Sequence, residues 1–306
     1  MDHLRTCFAE AERRAGFDFY KIDAALFAPA EVWVSNLDSG ITWHAGGLEL
    51  PLLDAAASEL LVLSWDEQVD AEALEERIGR DQGLCAHLLR VANSAAFAPV
   101  VPVASVRLAI SRLGMDRIRE IALALTVRQK AFDVPGWEDE VRALWRRSAL
   151  TSGFAREVVR RTGGTPQRGS LLGLLQDVGK PVALNALCEI EAEKGVELVA
   201  AQASELIEEA HGRVGALLAR HWGLPEWLEA VIRQHHDFET VDEHRADVLV
   251  AHLADRLATW AEDRDAEAIE ELAGLEVCSE LGLTPEQVRN VLAETDALLA
   301  YAEIYA

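Results

Sequence analysis

The sequence predicts a mainly α-helical fold: a multi-helix body preceded by a small segment containing a β-hairpin. Three observations carry this. From about Pro51 onward, apolar residues recur three and four positions apart, the period of one helix face. Capping residues ahead of these runs, and Gly or Pro behind them, divide the stretch into successive helices. Strand and helix do not alternate as they do in parallel-sheet enzymes. The period-two signal is confined to EVWVSNLDSGITWHAG at 31–46, which reads as two short strands around a turn near Asp38-Ser39-Gly40.

In chain order, a short amphipathic helix over Leu4–Arg14 precedes the hairpin, in which Trp33 and Trp43 are packing residues. Leu52, Leu53, Leu60 and Leu63 mark the first helix of the body. Asp70 then caps AEALEERIGR, where Leu74 and Ile78 share a face. Gln82–Ala96 follows with Leu84, Leu88 and Val91 inward, and Gly114 joins Val103–Leu113 to Asp116–Val127. A long helix over Glu138–Arg161 breaks at Gly163-Gly164-Thr165-Pro166. Ser170–Val178 is apolar and ends at Gly179, and Pro181 opens the helix beyond. Val199–Ala210 and Val214–Trp222 read as separate helices, the second stopped by Gly223 and Pro225. Glu226–His236 and Asp247–Trp260 come next, and Thr284 caps PEQVRNVLAETDALLAYAEIY.

Composition bounds what this body does. The chain has 306 residues, half of them hydrophobic, and a net charge of -23. That is enough apolar material for a large core, and the charge opposes binding to nucleic-acid backbones or anionic membranes. Residues 261–306 carry 12 acidic and 2 basic side chains and read as an acidic helical pair. Cys7, Cys85, Cys188 and Cys278 are far apart and read as reduced packing residues. No signal-peptide core or transmembrane run is present, so a cytoplasmic location is expected. GGTPQRGS at 163–170 lacks the Lys-Ser/Thr of a phosphate loop.

The chemistry-bearing residues lie in the second half. Asp177 in LLGLLQDVGK and Asp255 in VLVAHLADRLA sit in apolar surroundings, so each needs hydrogen bonds, a cation or a metal. Asp177 has a His, Arg147 or Arg256 as prospective partners. His211, His221, His235, His236, His244 and His252 cluster in the same half. Read individually, these groups are polar contacts between helices. Together, Asp177, Asp255, His211 and one of His235 or His236 form a mixed N/O set suited to a divalent first-row metal.

The order of landmarks resembles a known family. They are DQGLCAHLLRVANSAAF, SVRLAISRLGMDRIREIALAL, LWRRSALTSGFAREV, LLGLLQDVGK, EEAHGRVGALLARHWGLPEWLEAVIRQHH and VAHLADRLA. Residues 50–260 resemble the HD-related output domain (HDOD) of bacterial signalling proteins, a degenerate relative of the HD phosphohydrolases. The resemblance implies three parts: a flank over 1–49, the output domain over 50–260 and acidic helices over 261–306.

It also implies where a hydrolase would hold its metal. The first His position falls at Arg147, the His-Asp doublet at Gln176-Asp177, the later His positions at His211 and at His235 or His236, and the final Asp at Asp255. Arg147 cannot coordinate a cation, and Gln176 is a weak neutral ligand. The expectation is therefore a degenerate site: no enzyme, no cofactor, and a signal-transduction module acting through contacts with signalling proteins, with self-association left open. The rival expectation is a divergent phosphohydrolase of a nucleotide or cyclic dinucleotide. It would hold Mn, Fe or Mg on Asp177, His211, His235, His236 and Asp255. Arg-rich stretches such as MDRIREIALALTVRQK are expected to serve protein contacts or internal ion pairs, not nucleic acid.

Overall fold

A computed structural model describes residues 50–303 apart from 54–57, 60, 63–69, 95–96, 98–100, 132–133, 195–199 and 265–267. The described residues are helical throughout and contain no strand. The expected N-terminal helix and hairpin lie outside them. So does most of the expected helix marked by Leu52–Leu63, of which Ser58, Glu59, Leu61 and Val62 are helical.

Four short helices lead in: α1 (Ala71–Gly79), α2 (Gln82–Ala92), α3 (Val106–Leu113) and the longer α4 (Met115–Ala131). The starts of α1, α2 and α3 are fixed by side-chain caps that satisfy otherwise orphaned N–H groups. Asp70 accepts from the amide of Ala73 at 2.8 Å, Asp81 from Leu84 at 2.9 Å, and Ser105 from Leu108 at 3.1 Å.

The centre of the body is α5 (Glu138–Thr162). Acidic residues fill its first turn and arginines its last, both favourable to the helix dipole, and Gly163 closes it in the left-handed conformation. Trp145, Phe154, Ala155 and Val158 on α5 are fully buried. Against it pack α6 (Pro166–Leu175) and α10 (Arg245–Asp263). Beyond α6 come α7 (Gly179–Lys194), α8 (Ala200–His221) and α9 (Glu226–Gln234). Helices α11 (Ala268–Ala273), α12 (Glu276–Glu280), α13 (Pro285–Leu292) and α14 (Thr295–Ala302) then fold back, and α13 and α14 cover α5.

Several boundaries differ from the expectation. Helix α6 spans Pro166–Leu175 where 170–178 was expected, and Gly179 opens a helix instead of ending one. Two further differences change how helices join. Helix α8 is continuous where two helices were expected, so His211 sits inside a helix and not at a start. Glycine inside a helix costs about 1 kcal/mol, and here packing offsets it. A side chain at Gly212 would meet the Arg233 carbonyl at 2.9 Å, and one at Gly215 would meet Ile232 at 2.6 Å. The last helix is interrupted at Ala293-Glu294. There Thr295 is buried and turns its hydroxyl back onto the Leu292 carbonyl at 2.6 Å.

The arginine-rich stretches are spent on ion pairs. Arg117 reaches Glu120 at 3.0 Å, and Arg160 and Arg161 both reach Glu157 at 2.6 Å. Among the described residues, no helix is long and apolar enough to cross a membrane.

Candidate metal centre

The turn between α6 and α7 carries Gln176 and Asp177, α8 carries His211, and the end of α9 carries His235 and His236. Glycines bring these three elements together. Gly179, two residues after Asp177, abuts the backbone of His211 and Gly215 so closely that a side chain there would fall on the His211 carbonyl. Gly212, the residue after His211, lets α8 approach the backbone of α9 near its end. The glycines therefore set the distances between the chemical groups.

Asp177, His211, His235 and His236 each direct one ligand atom into a space where all four lie within 4.8 Å of one another. His211 Nε2 is 3.3 Å from His235 Nε2. Asp177 Oδ1 is 3.4 Å from the first and 3.6 Å from the second. A tetrahedral ion with bonds of roughly 2.1 Å has ligand–ligand edges of roughly 3.4 Å. The triangle of donors thus has the size of one face of a coordination polyhedron. Asp177, His211 and His235 are buried, whereas His236 is exposed and marks the open side.

The tautomers fit the same purpose. His211 Nδ1 lies 3.2 Å from the Ile207 carbonyl, and His235 Nδ1 lies 3.1 Å from the Ile232 carbonyl. A carbonyl only accepts, so both Nδ1 atoms carry hydrogen and donate. In the neutral rings both Nε2 atoms then present lone pairs, to each other and to a carboxylate. Such a convergence requires a cation. Asp177 Oδ1, moreover, is buried and accepts no hydrogen bond. Lys180, 3.2 Å from Oδ1, and a proton on one ring meet part of that need, and a divalent ion would meet it for the four donor atoms together.

The electrostatics divide the cluster. Burial lowers His235, but its contact with the Asp177 carboxylate outweighs this and raises it, so in the metal-free site a proton on His235 serves Asp177. Burial pushes the Asp177 carboxyl upward, but its contact with His235 and the charge of Lys180 outweigh this and hold it well below the usual carboxylate range. Burial lowers His211, and burial together with the neighbouring His235 brings His236 down to about 4. Lys180 is buried, 3.2 Å from Asp177 and 2.8 Å from Glu208 of α8. It pairs with Oδ1, the same carboxylate oxygen that faces the two histidines. Residue chemistry alone did not single out Lys180; its place three residues after Asp177 is the signal that could have.

Arg147 and Asp255 form a separate unit. One guanidinium nitrogen of Arg147 donates to Asp255 at 2.9 Å and to Thr259 at 2.7 Å, and the other donates to Glu262 at 2.6 Å. This clamps α5 to α10 and withholds Asp255 from the four-donor set. Of Asp177's three prospective partners, histidine is the one realised. Gln176 is wholly buried, and neither amide atom has a hydrogen-bond partner. His235 and His236 both join the cluster, as the phosphohydrolase expectation has it, whereas Asp255 of that expected set does not.

Arg147→Met leaves the Asp255 carboxylate without its main partner. Because both groups retain some solvent access, the expected loss is about 1–2 kcal/mol. Urea denaturation checks it, and adding Asp255→Asn to the variant should return part of the loss.

The expectation of no enzyme and no cofactor is corrected by this cluster. It rested on two replaced positions, Arg147 and Gln176. The fold brings both adjacent histidines to Asp177 and His211 and places Arg147 on Asp255. Three imidazoles with one carboxylate suit Fe²⁺ or Mn²⁺ better than Mg²⁺, which prefers an oxygen shell.

A helical body built around a His-rich, carboxylate-containing cluster defines the class of HD-type proteins. The sequence comparison is specific: residues 50–238 match the HDOD domain model, and the chain belongs to the HDOD domain family. An uncharacterized protein of Treponema pallidum (strain Nichols) is 24% identical over 204 residues, covering 64% of this chain and 39% of that protein. The fold is shared with a Shewanella amazonensis SB2B protein whose structure names it a candidate phosphohydrolase. That match has a TM-score of 0.68 and 21% identity over 92% of this chain and 98% of the other. An HDOD domain protein with unknown function from Geobacter sulfurreducens gives 0.63 and 22%, over 87% and 97%.

Residues 3–56 match a different model, Cyclohydrolase (MCH). There the chain is 53% identical over 49 residues to methenyltetrahydromethanopterin cyclohydrolase of Methylobacterium organophilum, covering 16% of this chain and 15% of that enzyme. The flank that the sequence sets apart from the helical body thus has relatives of its own.

Proposed function

We propose that this HDOD module is a metal-dependent phosphohydrolase, acting on a phosphate ester of a nucleotide or cyclic dinucleotide. It would hold one divalent ion, Fe²⁺ or Mn²⁺, on Asp177, His211, His235 and His236. The supporting observation is the donor triangle with edges of 3.3, 3.4 and 3.6 Å. When bound, such an ion supplies Lewis acidity and lowers the pKa of a coordinated water toward about 7.

The chain's own residues do the rest. The Ile207 and Ile232 carbonyls fix the tautomers of His211 and His235, and so aim their Nε2 atoms. Lys180 keeps Asp177 ionised and in place. Asp177, Lys180 and Glu208 together carry one net negative charge, so a divalent ion leaves the site positive, as an anionic phosphate requires. Exposure on the His236 side admits the ester. Arg147 keeps Asp255 out of the donor set, which favours one ion over two. We further propose that the body over 50–260 is flanked by separate parts at 1–49 and 261–306, and that it works with signalling proteins as partners, with self-association left open.

The test is hydrolysis of bis(p-nitrophenyl) phosphate and of cyclic dinucleotides by the full chain loaded anaerobically with Fe²⁺ or Mn²⁺. Turnover that a chelator removes and either metal restores is expected. A fully loaded protein that turns over none of these esters would contradict the reading.

A further inference from the structure

We propose that His252 is a positioning residue for the metal centre, holding the His235-His236 turn in the orientation that lets both rings face one ion. This rests on the metal-binding reading above and deepens it.

His235 closes α9, so its carbonyl is among those that the helix itself leaves without a partner. His252, from α10, meets that oxygen with Nδ1 at 2.9 Å. A carbonyl only accepts, so His252 Nδ1 is the donor. Its ring is half-buried and lies against Phe238, with centroids 4.5 Å apart and an interplanar angle of 53°. The imidazole is thereby held on two sides, by a hydrogen bond and by a ring.

The consequence follows from backbone geometry. The His235 carbonyl lies in the rigid peptide plane joining His235 to His236. Fixing that oxygen fixes ψ of His235, and with it the direction in which His236 leaves. Adjacent residues of a regular helix point about 100° apart. Two neighbours facing one ion therefore need this link held at a particular angle, and His252 supplies the hold from a different helix. His252 is not among the four grouped ligands, so it acts through them.

The experiment uses the full chain and Co²⁺ as a spectroscopic probe, with affinity read from d–d absorption in competition with a chelator. Three variants are compared. His252→Phe keeps a ring against Phe238 but has no donor. His252→Asn places an amide N–H near the Nδ1 position. His252→Gln serves as the donor-displaced variant if the Phe variant does not fold. His252→Phe, or His252→Gln in its place, is expected to weaken Co²⁺ roughly 10–100-fold, the usual effect of losing a group that orients a ligand. His252→Asn should recover most of the affinity. The Tm of the metal-free protein is measured alongside, because a purely structural hydrogen bond would move Tm and leave Co²⁺ affinity unchanged. Unchanged affinity in the donor-less variant overturns the inference while the metal reading stands. A wild-type chain that takes up no Co²⁺ overturns both.

Discussion

Asp177→Asn is expected to leave the protein folded and to cost it the metal. Asparagine preserves the shape of the carboxylate but not its charge. Lys180 still has Glu208 at 2.8 Å to pair with. Stability should therefore fall by about 1–3 kcal/mol, in line with a lost charge-assisted contact. Metal affinity should fall much further. The site would keep three neutral imidazoles and lose its one anionic donor, and Lys180 would then face the ion with less compensation. A loss of about 100-fold or more is expected, since even an outer partner of a ligand is worth 10–100-fold. Competition with a chromophoric chelator measures this, and turnover should fall in parallel. Affinity equal to that of the wild type would mean that Asp177 is only a structural ion-pair partner.

The second large effect is expected from the smallest change. Gly179→Ala adds one methyl group where α7 crosses α8, against the His211 carbonyl and 2.5 Å from the Gly215 amide nitrogen. Both neighbours are backbone inside a continuous helix, so neither can rotate away. The helices must separate, and overpacking of this kind costs roughly 3 kcal/mol. The separation would also move Asp177 away from His211, whose donor atoms are 3.4 Å apart. Gly179→Ala should thus lower the urea midpoint and metal affinity together. A variant that binds metal normally and unfolds at the wild-type midpoint would show that the glycine contact does not set the site.

These two residues also show what could be read from the sequence. Asp177 was legible because a carboxylate in LLGLLQDVGK is out of place without a partner. Helix starts were legible where the cap is chemical, as at Asp70 and Thr284; Asp81 and Ser105 also cap, and Ser105 moves the expected start at Val103 to Val106. Gly179 read only as a helix boundary, because a close approach between helices involves a partner 36 residues away and leaves no local pattern. Gly212 misled in the opposite direction. It lies in the gap expected between 210 and 214, where its low helix propensity fits a break, and tertiary packing overrides that propensity. The four-donor cluster was misjudged for a related reason. Arg147 and Gln176 suggested a lost ligand set, but the rescue by adjacent His235 and His236 depends on the turn after α9. Likewise, that Arg147 faces Asp255 and not Asp177 is decided by the crossing of α5 and α10.

The most direct test of the account is the metal content of the full chain purified without chelator, followed by X-ray absorption at the bound metal's edge. About one first-row ion per chain is expected, with a shell of nitrogen and oxygen donors at roughly 2.0–2.2 Å and the multiple scattering of several imidazoles. A protein that stays metal-free after incubation with Fe²⁺, Mn²⁺ and Zn²⁺, with Asp177 and His235 held together by a proton alone, would contradict it.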